Sequence, residues 1–371
     1  MLILKCNFIN KRKGVTFLLL VIILFYMLLC SCGNGLHPHS FCWWQRTFEL
    51  DKTDLSLLQA TGSNHLYIRY FDVDWDVASN QPLPAGTLIA TATPPCHFTP
   101  TIFITNNVFV HASHLQIDSL AIRIYKRVDA INRHFIASSL NNSTLGKSTA
   151  QKLECQWSDL LIDCDWTQQT KENYFYFLQK MAAQFSNKEL SVTLRLWQYK
   201  HLDLSGIPPV NRCLLMCYNL ADPKNIRTDN SIGSVKELKS YLIKSNYPLH
   251  LDIALPIFSW GVVFHSGQWA GLLDNTSSIT FTNDTLHFQA IKSNCFMLKK
   301  DTVIGQRYLR YGDEVRVEEI GAKELEEMVL LIKKQVPLRD KSRLTLFSFD
   351  PSYVNKYEIE EICHIYALFD R

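Results

Sequence analysis

The chain has 371 residues, 47% of them hydrophobic, with 38 Lys and Arg against 35 Asp and Glu for a formal net charge of +3. So small a balance, with its basic residues scattered along the chain, excludes the electrostatic footprint of a nucleic-acid binder. Once an N-terminal segment is set aside, roughly 340 residues remain, enough for one large barrel or two smaller domains, and neither a linker nor an internal repeat divides them.

Lys11, Arg12 and Lys13 precede an apolar run from Val15 to Leu29, and Leu29-Cys30-Ser31-Cys32 follows. That run is shorter than the about 20 apolar residues a membrane span needs, so it reads as a secretion signal over 1–32. The small residue before Cys32 resembles a bacterial lipobox, which implies cleavage that leaves Cys32 as the diacylated first residue. An uncleaved anchor or a plain secretory signal is the alternative. Gly33 is not the aspartate that retains some lipoproteins in the inner membrane. The expected location is therefore the bacterial cell envelope, lipid-anchored in the outer membrane and facing the periplasm, with the membrane as a partner through the lipid.

Beyond it, β-rich runs alternate with helical patterns, the signature of a parallel α/β architecture. Strands are predicted at Phe41 to Phe48, His65 to Asp72, Thr101 to Asn106, Asp159 to Asp165, Val192 to Gln198, Cys213 to Asn219, His250 to Pro256 and Arg343 to Phe349. Helices are predicted from three- and four-residue apolar spacing at Thr53 to Ala60, Ser113 to Ser138, Lys171 to Phe185, Val235 to Ser245, Lys323 to Gln335 and Glu358 to Phe369. Eight strands with interleaved helices point to a (β/α)8 TIM barrel over 41–371, with its chemistry on the loops after the strands. An open doubly wound sheet is the runner-up. Asn141 to Gln156 reads as a polar, exposed connection, and Gly261 to Glu319 as a β-rich inserted subdomain after the seventh strand.

No glycine-rich phosphate loop follows an early strand, so no nucleotide cofactor is expected. Of eleven cysteines, Cys6, Cys30 and Cys32 fall in or at the end of the signal. Cys164, Cys213 and Cys217 lie in apolar runs, where cysteine acts as a small hydrophobe. A bridge among Cys42, Cys96, Cys155, Cys295 and Cys363 stays open, because sequence cannot choose the pairing. Asp72, Asp74 and Asp76 are placed on a loop after the second strand. A solvated acidic loop is the plainer account of them and a metal-dependent hydrolase of another bond the lesser one; no metal site is assigned.

The most informative segment is Leu161-Ile162-Asp163-Cys164-Asp165-Trp166-Thr167. A period of two puts Asp163 and Asp165 on one face of the fourth strand, and burying ionised groups is costly unless they are paired or solvated. Thr193, Arg195 and Trp197 share a face of the fifth strand, placing Arg195 beside the aspartates, where an ion pair would keep a carboxylate ionised. Arg69 on the second strand and Asp252 on the seventh are expected at the barrel mouth. With Trp43, Trp44, Trp166, Trp197, Tyr218 and Trp260 around them, such acids and arginines suit a polyhydroxylated ligand: charged groups bond hydroxyls, and aromatic faces cover the C–H patches of a sugar ring. Structural aspartates and ordinary core aromatics are the plainer alternatives.

This order of motifs resembles the family 18 glycoside hydrolases, the chitinase-like barrels. Against their D-G-x-D-x-D-x-E strand, Asp163 and Asp165 match the second and third acids, but the first acid falls on Leu160 and the proton-donating glutamate on Thr167. Against M-x-Y-D stand Met216-Cys217-Tyr218-Asn219. The chain also resembles a group of bacterial lipoproteins that share Asp163 to Thr167, Pro208-Pro209-Val210, Leu215 to Asn219 and Leu251 to Pro256, a likeness that carries no activity with it. The first resemblance implies a lipid-anchored, glycosidase-like barrel that binds an envelope or imported glycan, with its hydrolysis left open. In that reading Asp165 is the acid, Asp163 orients it or shares its proton, and Tyr218 bonds the reacting sugar. Arg69, Arg195, Trp197, Asn219, Asp252, Trp260, Trp166 and Trp43 bind substrate. Loss of the family's general acid on Thr167 supports the alternative, a non-catalytic carbohydrate-binding or scaffolding lipoprotein.

Overall fold

A computed structural model describes residues 38–142, 157, 159–242 and 247–370. The lipobox and Cys32, Cys155, and most of the polar connection predicted at Asn141 to Gln156 lie outside the described residues.

Eight strands carry the architecture: β1 (His39–Trp43), β2 (His65–Asp76), β3 (His97–Ile104), β4 (Asp159–Asp163), β5 (Glu189–Arg195), β6 (Arg212–Met216), β7 (His250–Pro256) and β8 (Leu344–Phe347). Each pairs in parallel with the next, and β8 returns to β1, so the sheet closes into a (β/α)8 barrel. Closure leaves the parallel strands without an open edge. The exception is an antiparallel strand, Gln81–Ala85, appended outside the barrel to the far half of β2. Its Pro82 and Pro84 are tolerated there because prolines, lacking an N–H, are confined to edge strands. That pairing extends β2 to Asp76, so Asp72, Asp74 and Asp76 stand on a strand and not on a loop.

Outward residues such as Ile68, Ile102, Ile162, Val192, Leu215, Ile253 and Leu346 are fully buried beneath the helices. The helices answer with one apolar stripe each: Tyr174, Phe177, Leu178 and Met181 on Lys171–Gln184, and Leu325, Met328, Val329 and Ile332 on Ala322–Gln335. Both show the i, i+3, i+4, i+7 spacing of a surface helix on a core. Between β7 and β8, strands Trp260–His265, Gln268–Asp274, Phe288–Lys292, Cys295–Leu298 and Glu314–Glu318 form an antiparallel sheet over its own small core of Val263, Phe281, Phe288, Phe296, Val315 and Val317. All described cysteines are free thiols.

The lumen is more polar than the branched apolar filling usual for such barrels. At its N-terminal end, Arg343 Nη1 donates to Asp159 at 2.6 Å and Arg212 Nη1 to Asp252 at 2.7 Å. Asp252 also accepts from the Tyr67 hydroxyl and the Arg343 amide. His65 bridges Ser40 and Thr99 beside them; burial, then the neighbouring Arg343, lowers its pKa well below the usual imidazole value. Burial pushes the Asp159 carboxyl up, but Arg343 and His65 outweigh it and the net shift is downward. Asp252 therefore belongs to a plug at the bottom of the barrel, at the end opposite the one predicted for it.

Replacing Asp252 by Ala removes the short bond of Arg212, leaving it the longer pairing with Glu189 at 3.6 Å, and strands the Arg343 amide. Removing one member of a buried pair costs about 3–5 kcal/mol, so urea denaturation of Asp252→Ala should show a loss of that order, and a loss within experimental scatter would contradict the plug.

Candidate functional site

The opposite, C-terminal end of the lumen is open. A cavity of about 220 Å³ is lined by Trp44, Arg69, Asp163, Asp165, Thr193, Arg195, Tyr218, Asn219 and Phe347, with Leu161, Leu214 and Ala254 among its deeper walls. A second space of about 410 Å³ shares Asp165, Arg195, Tyr218 and Asn219 and continues to Thr167, Trp197, Leu220 and Tyr241. The two are lobes of one cleft, with the Asp165–Arg195 pair in the wall common to both.

Each side chain arrives by strand period. Asp163 ends β4 and Thr193 faces it from β5, donating its hydroxyl to Asp163 Oδ1 at 2.7 Å. Arg195 ends β5 and grips Asp165 with two bonds, Nε to Oδ1 at 2.5 Å and Nη2 to Oδ2 at 2.8 Å. This fork-on-carboxylate geometry is the strong form of an ion pair. Arg69 pairs in the same way with Asp72, and its guanidinium lies 4.9 Å from the Trp44 ring centroid. Tyr218 stacks on Phe347, ring centroids 5.1 Å apart, and meets Phe258 edge-on. Asn219 adopts a left-handed φ of 56°, which asparagine tolerates better than most residues, with its amide held by the Ile232 carbonyl at 2.7 Å.

The two aspartates are not equivalent. Asp163 is buried, and desolvation, reinforced by the neighbouring Asp165, raises its carboxyl from the ordinary value to about 6 despite the Thr193 bond and the two arginines. Asp165 is nearly half exposed and locked to Arg195. Both oxygens of Asp165 are taken by the arginine fork, whereas Asp163, the deeper of the two, is the one whose carboxyl is raised; the sequence reading made Asp165 the acid.

Of the predicted ligand contacts, Asp163, Asp165, Tyr218, Asn219, Arg69 and Arg195 converge on the cleft. Trp197 does not share the inward face of β5, because the strand stops at Arg195. There the Gln198 side chain accepts from the Arg195 amide at 2.7 Å and a short helix, Leu196–Lys200, begins. Trp197 is instead 40% exposed at the rim of the second lobe. Trp43 points the other way and is buried between Phe48 and Phe349; its neighbour Trp44 has the inward parity. Trp166 borders the second lobe as predicted but is almost wholly buried, its indole N–H donated to the Ser205 carbonyl and its ring stacked on Tyr174. Trp260 donates to Glu318 in the insertion and lines neither lobe. Phe347 and Tyr241 were not singled out from sequence, although the parity of β8 would have pointed Phe347 inward with Thr345. Thr167, where the chitinase-like motif has glutamate, lines the second lobe and is engaged with Thr170 and Gln169. Asp72, Asp74 and Asp76 are each satisfied by different partners, Arg69, Thr105 and Ser79. Among the described residues no group of three or more His, Cys, Asp or Glu converges as a metal site.

No family model matches the sequence, and no curated protein matches it. Solved structures do. The spore cortex-lytic enzyme SleL of Bacillus cereus is similar over 90% of this chain and 74% of its own, at 15% identity and a TM-score of 0.47. A fungal endo-β-N-acetylglucosaminidase of glycosyl hydrolase family 18 is similar over 90% and 98%, at 6% identity and a TM-score of 0.43. Active domain 2 of a thermostable chitinase from Pyrococcus furiosus, crystallised with chito-oligosaccharides, is similar over 90% and 94%, at 10% identity and a TM-score of 0.39. Chitinase-like barrels are thus among the structural neighbours of this one.

Because the folded chain raises the Asp163 carboxyl above its unfolded value, folding favours its protonated form. That contribution is fully present below about pH 4 and is lost as pH rises through about 6. Asp163→Asn should therefore flatten the decline in stability between those limits when denaturation is followed at several pH values. An unaltered slope would assign the proton elsewhere.

Proposed function

We propose that this chain is a glycan-binding barrel of the bacterial envelope, tethered through a lipid on Cys32 and facing the periplasm. The two-lobed cleft carries this reading. It combines fixed charges, Arg195 with Asp165 and Arg69 with Asp72, with the aromatic faces of Trp44, Tyr218 and Phe347, and an exposed Trp197 stands at its rim. Hydroxyl groups of a sugar find donors and acceptors already oriented, so little reorganisation opposes binding, and ring C–H patches find π faces. A nucleotide or an acidic polymer fits less well, because each arginine lining the first lobe is already neutralised by a carboxylate. The tether rests on the Leu29-Cys30-Ser31-Cys32 sequence and on the basic and apolar residues before it.

Binding without turnover is the primary reading. Thr167 carries no carboxyl to act as an acid, and both oxygens of Asp165 are engaged by the Arg195 fork. One observation favours hydrolysis as a second reading: Asp163, with its carboxyl raised to about 6, can hold a proton near neutral pH inside the cleft, as a general acid must.

A glycan array probed with the full-length protein in detergent, followed by calorimetry on the best oligosaccharide, separates these. Retention of at least one glycan is expected, with affinity falling roughly 3- to 10-fold in Trp197→Ala, the worth of one aromatic contact, and with no new reducing ends released. Failure to retain any glycan sinks the proposal. Release of product that disappears in Asp163→Asn replaces binding with hydrolysis.

A further inference from the structure

The loop after β6, residues 217–234, supplies Tyr218, Asn219 and Leu220 to the cleft, yet it is not braced by the barrel alone. Its two ends pair with each other: the Asn219 amide donates to Ile232 and the Leu220 amide to Ser231. Its excursion leans on the last strand of the insertion, Glu314–Glu318, whose residues alternate. Val315 and Val317 face the insertion's own core. Arg316 and Glu318 face the other way and are 3% and 0% exposed.

Arg316 Nε donates to Glu318 Oε1 at 2.6 Å, while its Nη1 and Nη2 each reach a loop carbonyl, Asn225 and Pro223, at 3.0 Å. Glu318 Oε2 accepts the Ser231 amide at 2.8 Å, the Ser231 hydroxyl and the Trp260 indole N–H at 2.7 Å. The Asn230 and Asn294 side chains add a bond in each direction, to the carbonyls of Glu319 and Asp229. A buried ion pair is by itself weak support for stability, because desolvation offsets its attraction. Here its spare donors and acceptors are spent on backbone groups of a different segment, an arrangement that fixes geometry.

We propose that Arg316 and Glu318 are positioning residues: a buried clamp through which the insertion sets the Tyr218–Asn219 rim of the cleft. Neither touches the cleft lining. Their effect on ligand passes from Glu318 to Ser231, and from the paired ends of the loop to Asn219. That the rim meets a glycan rests on the function proposed above; that the clamp holds the rim does not. An insertion so connected makes the width of the cleft depend on the insertion's sheet, and anything that shifts that sheet alters affinity without contacting sugar.

Hydrogen exchange and calorimetry with N-acetylchitotetraose test this on the full-length protein, in Glu318→Gln, Arg316→Met and Ser231→Ala. Glu318→Gln puts an amide group where only acceptors fit. Ser231→Ala removes one contact from the loop side and leaves the buried pair whole, so it guards against variants that fail to fold. Amide exchange at residues 219–221 and 231 should accelerate about tenfold, with the amides of β4 and β5 unchanged. Affinity should fall about tenfold, while the melting temperature of Ser231→Ala stays within about 3 °C of the parent. Unchanged exchange at 219–221 overturns the clamp, as does faster exchange with unchanged affinity. A parent that binds no oligosaccharide counts against the glycan reading alone, and the exchange at 219–221 then decides the clamp by itself.

Discussion

Charge neutralisation inside a closed sheet is the constraint on which this structure depends. A parallel barrel turns alternate residues of every strand into one lumen, and here those positions include Asp159, Asp163, Arg195, Arg212, Asp252 and Arg343. In so dry a place an unpaired charge is prohibitive, so the arginines must meet the acids. Arg212 and Arg343 do so at the N-terminal end with Asp252 and Asp159, where both acids are buried. At the other end Arg195 meets Asp165, which lies past the end of β4 and remains nearly half exposed. The same chemistry that ties buried acids to arginines at one end leaves the other polar and accessible.

The asymmetry between the two mouths also separates the roles of Asp163 and Asp165. Two residues apart, they differ because one ends the strand and stays in the lumen while the other has climbed into reach of an arginine fork. Burial raises Asp163; pairing fixes Asp165. The site therefore holds one buried carboxyl raised to about 6 and one whose oxygens are both bound by an arginine, with Thr167 where the chitinase-like motif has glutamate.

Much of the architecture was legible because it rests on local periodicity. Period-two runs located all eight barrel strands, and helices such as Lys171–Gln184 and Ala322–Gln335 followed from their apolar stripes within a residue or two. Trp197 shows where that reasoning ends. The alternation of Thr193, Arg195 and Trp197 looks like a continued strand, but a side-chain bond from Gln198 back to the Arg195 amide starts a helix that a hydrophobic pattern does not register. Trp43 and Trp44 are adjacent and chemically alike, and only the register of β1 against β2 and β8 decides which enters the cleft.

By itself, the sequence determined the alternation of strands and helices, the placing of Asp163 and Asp165 on one face, and a threonine, Thr167, where the motif it resembles has glutamate. These are properties of neighbours a few residues apart. Tertiary structure alone decided that Asp252 plugs the bottom of the barrel while Asp165 borders its mouth, that Asp163 is buried while Asp165 meets an arginine fork, and that Arg316 and Glu318 brace a loop some 90 residues away in the chain. Depth in the lumen and the company a charge keeps depend on strand stagger and closure, and those are set by contacts between segments that no local pattern encodes.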